Sequence, residues 1–104
     1  MKIVGLMSGT SMDGIDAALL ELDDGPDGIR WSLLEFRSEA YDDERRGRIR
    51  EAVDGGSSET LCRLHADLGE WLAAAASAVV EQAGVDAGEV AAIGSHGHTV
   101  WHVP

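Results

Sequence analysis

Gly5-Leu6-Met7-Ser8-Gly9-Thr10-Ser11-Met12-Asp13-Gly14-Ile15-Asp16 is the stretch that decides how this chain is read. Between two apolar runs, Gly9 to Gly14 sets two glycines, two hydroxyls and a carboxylate in a tight turn. Glycine there takes φ > 0 or lets a ligand approach the main chain, while neighbouring N–H and O–H groups point at anionic oxygens. The expectation is a hairpin that cradles phosphate, with Asp13 as partner of the magnesium that travels with ATP. Gly, Ser and Asp also dominate ordinary turns. On residue types alone both readings stay open.

Other phosphate motifs fail here. The Gly9 to Gly14 spacing imitates the start of a P-loop, but Ile15 and Asp16 stand where that loop needs Lys and Ser or Thr. No G-x-G-x-x-G is present, and the segment leads into a second β-like run and not a helix, so the dinucleotide fingerprint lacks its context.

Outward from this turn, Lys2 to Ser8 is nearly all apolar, as expected for a strand buried on both faces. Ile15 to Asp23 is a second run, with Ala18, Leu20 and Leu22 on one face and Ala17 and Leu19 on the other. The turn formers Asp23 to Gly28 predict an antiparallel return over Ile29 to Ser38. There the apolar phase jumps from Leu33 to Leu34, which calls for a bulge or an edge twist. Asp43 to Val53 reads as a charged helix weakened by Gly47. Ser57 or Ser58 caps a longer helix whose apolar positions step from Leu61 through Leu64, Leu68, Trp71, Leu72 and Ala75 to Val79, stopping at Gly84. The small side chains of Ala73 to Ala78 let it lie close against a sheet. Glu89 to Ser95 is a last short strand. The order, three strands, two helices and one strand, looks like the opening of a larger α/β unit, so a longer polypeptide is expected.

Composition bounds the partners. The 104 residues carry 19 acidic and 8 Lys or Arg side chains, a formal charge of −11. Such a chain repels nucleic-acid backbones and anionic membrane surfaces, so neither is an expected partner. A phosphorylated ligand would then depend on magnesium and directed N–H donors. The single cysteine, Cys62, is expected to be a buried or half-buried packing residue and fits a reducing compartment. No run approaches the ~20 apolar residues of a membrane span, and no secretory cleavage site follows the first strand. A cytoplasmic address is expected.

His96, His98 and His102 fall within seven residues. On a strand His96 and His98 share a side, but zinc wants further ligands with defined placement, and no Cys or Glu lies nearby. Substrate contact is the favoured role, because strand C-terminal ends in open α/β sheets face the ligand crevice and Gly97 permits a sharp exit. His65 on the long helix reads as a packing histidine.

The stretch Gly5 to Asp16 with Ala17-Ala18-Leu19 resembles the ATP phosphate-binding signature of the anhydro-N-acetylmuramic acid kinase family. Ile93-Gly94-Ser95-His96-Gly97-His98-Thr99-Val100-Trp101-His102 is similar to a family segment that usually reads Ser-His-Gly-Gln-Thr-Val, with His98 in place of the Gln. The resemblance implies an actin/hexokinase-like (ribonuclease H-like) α/β lobe, of which residues 1–104 are the N-terminal portion. It implies ATP and Mg2+ held by Gly9, Thr10, Ser11, Met12, Asp13, Gly14, Ile15 and Asp16, with Asp13 on the metal through water. It implies sugar contacts from His96, His98 and Thr99. Family members open the anhydro ring of 1,6-anhydro-N-acetylmuramic acid with water and phosphorylate O6, yielding N-acetylmuramic acid 6-phosphate in peptidoglycan recycling. Their catalytic Asp lies downstream, so no general base is expected here and these residues alone should be inactive. A homodimer stays open for the full-length protein. The rivals are a non-catalytic nucleotide-binding module of the same superfamily and a hydrolase with a metal on His96 and His98.

Overall fold

The computed structural model describes residues 1–9 and 11–104. Strands β1 (Lys2–Ser8), β2 (Gly14–Gly25) and β3 (Gly28–Ala40) lead into helices α1 (Asp43–Val53) and α2 (Ser58–Ala83), and a single 3-10 turn precedes β4 (Val90–Ser95). The strands form one mixed α/β sheet in the order β3-β2-β1-β4. β1 and β2 pair antiparallel, as do β2 and β3, which bears out the antiparallel start; β4 runs parallel to β1. The β2–β3 hairpin closes on Gly25 and Gly28 around Pro26-Asp27. Gly28 takes φ 113°, a conformation open to glycine and strained for other residues. Its register slips where Leu19 faces Glu35 and Leu20 faces Leu33, leaving Leu34 as the extra residue, so the phase jump was a bulge.

Both helix ends read from the sequence are present. Ser57 accepts from Thr60 N–H at the start of α2, and Gly84 closes it in the left-handed region at φ 70°. The Asp42 carboxylate caps α1 by accepting from Arg45 N–H. α2 lies across the first three strands, and its Leu64, Leu68, Ala75, Ala76, Val79 and Val80 are buried against Val4, Leu6, Ile15, Ala17 and Leu19. Ile49 and Ala52 of α1 complete this core. Of the small-residue tract, Ala75 and Ala76 are buried, whereas Ala73, Ala74 and Ser77 are exposed. Close approach is thus achieved by two alanines per turn, not by the whole tract.

Two expectations are corrected. β1 is buried on one face only: Val4, Leu6 and Ser8 point into the core, while Met7 is 50% exposed on a face that no described element covers. On that face Met7, Asp16, Ala18 and Phe36 line a shallow groove. Cys62 is exposed, because two positions before Leu64 a helical residue is turned to the far side of α2 from the stripe that Leu64 and Leu68 define. No helix is long and apolar enough to cross a membrane among the described residues.

Candidate functional site

Parallel pairing puts the C-terminal ends of β1 and β4 side by side, with Leu6 opposite Ser95 and His96 N–H donating to the Leu6 carbonyl at 3.0 Å. The chain leaves β1 into the turn at Gly9 and leaves β4 into His96-Gly97-His98-Thr99. The two motifs therefore meet at one end of the sheet, where the strand ends of an open α/β fold face their ligand.

Ser8 joins them. It stands in phase with Val4 and Leu6, which turns its hydroxyl into the protein at 1% exposure. A buried hydroxyl needs partners. Ser8 Oγ lies 2.7 Å from the Tyr41 hydroxyl and 2.8 Å from His98 Nδ1. Tyr41 sits between β3 and α1, where its backbone N–H donates to the Asp13 carbonyl at 2.9 Å. Its ring leans on Trp71 of α2 at 5.8 Å between centroids, and the Arg45 and Arg48 guanidiniums stack over the same indole. Tyr41 thus holds the end of the turn through its main chain and Ser8 through its hydroxyl. Neither Ser8 nor Tyr41 was among the site residues expected from sequence. The available signal was a hydroxyl on the buried phase of β1.

Within the turn, Met12 N–H donates to the Gly9 carbonyl at 3.0 Å. Met12 takes φ 58°, the one non-glycine residue with positive φ among those described. A left-handed residue redirects its N–H relative to its neighbours, the geometry from which anion-binding nests are made. Such a backbone costs about 1–3 kcal/mol unless its surroundings hold it; here the Met12 side chain packs on the core. Of the two options read for Gly9 and Gly14, φ > 0 or close approach of a ligand, the positive φ falls on Met12 and on neither glycine. Gly14 is required for a different reason: a Cβ there would stand 2.1 Å from the Glu39 carbonyl oxygen. A Cβ on Gly9 would meet only Ser11 Oγ, at 3.6 Å, so the space over that residue is open.

The remaining expected residues divide. Ser11 and Asp13 are exposed at the turn. Ile15 is buried in the core at 4%, so only its main chain can face a ligand. Asp16 points to the uncovered face of the sheet and accepts from Ser38 Oγ at 2.7 Å. Thr10 lies outside the described residues. On the β4 side, His96 and Thr99 are exposed, and Gly97 takes φ 70° while its N–H donates to Ser95 Oγ at 3.1 Å, the sharp exit expected of it. β4 ends at Ser95, so His96 and His98 do not share a strand face, the premise of a paired metal site. Among the described residues no three His, Cys, Asp or Glu side chains are grouped to hold a metal ion.

His98 is half-buried, and burial draws its imidazole below the ordinary value of 6.5; a hydrogen bond to the Ser8 main chain opposes this and the nearby His96 adds to it. Burial likewise raises the Tyr41 phenol, which therefore keeps its proton at neutral pH. A cleft of about 540 Å³ between α2 and β4 is lined by Val4, Val80, Val85, Val90 and Ile93 among others and includes no residue of the Gly9–Asp16 turn or of the segment 96–99. Its walls are mostly apolar, and the polar side chains among them, Ser77, Glu81 and Asp86, include no cation to meet a phosphate.

Comparison with known proteins follows the same two motifs. A sequence profile described as "Anhydro-N-acetylmuramic acid kinase" matches residues 1–104. A protein of Salinibacter ruber with that name is 46% identical over 105 residues, covering 98% of this chain and 26% of the relative. Its namesake in Caldanaerobacter subterraneus is 40% identical over 104 residues, again 98% and 26%. That of Nitrosomonas europaea is 39% identical over 106 residues, 100% of this chain and 28% of the relative. The chain spans about a quarter of the length of the curated relatives it matches. With the whole of it matched, the chain belongs to the anhydro-N-acetylmuramic acid kinase family.

Proposed function

We propose that residues 1–104 are the N-terminal portion of an actin/hexokinase-like (ribonuclease H-like) kinase lobe. In the full-length protein it binds ATP and serves the conversion of 1,6-anhydro-N-acetylmuramic acid and water to N-acetylmuramic acid 6-phosphate. The observation that carries this reading is the meeting of the two motifs, with Ser8 of the first 2.8 Å from His98 of the second. A kinase needs the phosphoryl donor and acceptor at one place, and phosphoryl transfer is achieved mainly by positioning and charge neutralisation.

In this reading the turn's main-chain N–H groups around Met12, with the Thr10 and Ser11 hydroxyls, donate to the β- and γ-phosphates. Gly9 leaves their path clear, and Gly14, Ile15 and Asp16 hold the turn's outgoing strand. His96, His98 and Thr99 hydrogen-bond the sugar. Asp13 suits magnesium: it is an exposed carboxylate at the turn, and Mg2+ is commonly held by one or two carboxylates, substrate phosphates and its own waters. When bound, that ion would neutralise phosphate charge, which a chain of net charge −11 does not do by its general field. The general base belongs to the part of the enzyme beyond these residues. The single cysteine and the nucleotide substrate fit a cytoplasmic enzyme.

The test is turnover by the full-length protein given ATP, Mg2+ and the anhydro-sugar. Stoichiometric ADP and 6-phosphorylated sugar are expected. ATP binding without turnover would establish the non-catalytic module in its place.

A further inference from the structure

Met12 holds its left-handed backbone, φ 58°, within the Gly9–Gly14 turn. A non-glycine residue keeps such a conformation only where its surroundings over-determine it, and residues held in this way cluster at ligand clamps. The Met12 N–H bond to the Gly9 carbonyl at 3.0 Å and the packing of its side chain on the core both contribute. Neither fixes where the turn begins and ends.

Tyr41 does both. Gly14 pairs with Ala40 at the end of the β2–β3 ladder, so the next residue, Tyr41, stands beside Asp13 and its N–H donates to the Asp13 carbonyl at 2.9 Å. Its side chain is buried at 3% exposure, and its hydroxyl meets Ser8 Oγ at 2.7 Å. Ser8 precedes Gly9 and Asp13 precedes Gly14. A single residue therefore grips the chain where it enters the turn and where it leaves. Whichever hydroxyl donates, the same two atoms are held together. The grip is backed in turn by Trp71 of α2, 5.8 Å from the Tyr41 ring between centroids.

We propose that Tyr41 is a positioning residue for the nucleotide: through its main chain to Asp13 and its hydroxyl to Ser8, it holds the turn in the shape that presents main-chain N–H groups to the terminal phosphates. Being buried, it meets neither substrate itself. The proposal rests on the reading that this turn receives ATP; it adds the residue that sets the turn's shape, and that residue lies outside both motifs. Donors already in place need no reorganisation when the ligand arrives, so a loosened grip is read out in nucleotide affinity.

Tyr41→Phe removes the hydroxyl and keeps the ring and the N–H. In the full-length protein it should weaken binding of a non-hydrolysable ATP analogue with Mg2+ by about fivefold to tenfold, the scale of one hydrogen bond, while the sugar KM stays within about twofold. Ser8→Ala should weaken the analogue at least as much, and adding Tyr41→Phe to it should bring no further loss, because the hydroxyl acts through Ser8. Unchanged analogue affinity in Tyr41→Phe, an equal rise in sugar KM, or additive losses in the double variant would overturn the proposal. Amide hydrogen exchange separates a local effect from a global one. In Tyr41→Phe the Met12 N–H should exchange about tenfold faster, with the Leu68 and Val79 amides of α2 unchanged. A Met12 amide as slow as in wild type, or equal acceleration along α2, would also overturn it. Wild-type enzyme that binds no ATP would sink the kinase reading itself, whereas Met12 exchange reports on the grip regardless.

Discussion

Asp13 illustrates how much one residue can carry on this surface. Its carboxylate is exposed at the turn with no hydrogen-bond partner among the described residues, whereas its main-chain carbonyl ties to Tyr41 N–H. Asp13→Asn should therefore leave folding untouched and lower kcat of the full-length kinase by about 100-fold, the scale of losing one electrostatic stabiliser. Steady-state kinetics checks this, and a kcat within a few-fold of wild type would remove Asp13 from the metal's surroundings. His98 makes a prediction in pH. Burial lowers its folded value below 6.5, so between that value and 6.5 the unfolded chain takes up a proton that the folded one refuses. Stability is then flat above 6.5 and falls as pH drops through this window; His96 and Tyr41 are the other titratable groups beside the ring. An NMR titration should place the His98 midpoint below 6.5, and a midpoint above it would contradict the burial. Asp13 and His98 were legible in the sequence because charge and hydrogen-bonding capacity belong to the residue type. Ser8 and Tyr41 were not, since their importance comes from a contact across 33 positions of sequence that only the β1–β2–β3 pairing creates.

Among elements, the β2–β3 hairpin bears most directly on the proposed site, because β2 begins where the Gly9–Gly14 turn ends. Gly14 pairs with Ala40, and the β3 main chain passes so close that a methyl group would overlap the Glu39 carbonyl at 2.1 Å. Gly14→Ala must push the strands apart beside the turn. A loss of about 1–3 kcal/mol is expected, as for other overpacked positions. Urea unfolding checks it through a lower midpoint at unchanged slope; an unaltered midpoint would show that the strands separate freely there. Element by element, the sequence was informative wherever a local rule governs. Ser57 and Gly84 bound α2 because capping is short-range chemistry, and Leu34 bulges because strand alternation cannot tolerate a phase jump. It misled over β1, whose apolar run suggests cover on both faces, and over Cys62, whose phase on α2 leaves it outside. Cover is a tertiary property, and a run such as Lys2 to Ser8 states only what its residues would tolerate.

At the scale of the molecule, the parallel β1–β4 pair brings together segments more than 80 positions apart, as the Ser8–His98 separation of 90 shows. That juxtaposition could not be read from either motif, since it depends on α1 and α2 carrying the chain over the sheet and back to the edge beside β1. It gives the turn and the 96–99 segment a common outlook. With 19 acidic side chains against 8 basic, the overall field repels phosphate, so on the proposed reading aimed donors and a metal ion must draw it in. The most direct test is a crystal structure of the full-length protein with a non-hydrolysable ATP analogue and Mg2+. The account predicts terminal phosphate oxygens within hydrogen-bonding distance of the main-chain N–H groups between Gly9 and Gly14, with Asp13 facing the metal's waters. A nucleotide bound elsewhere, with that turn open to bulk solvent, would contradict it.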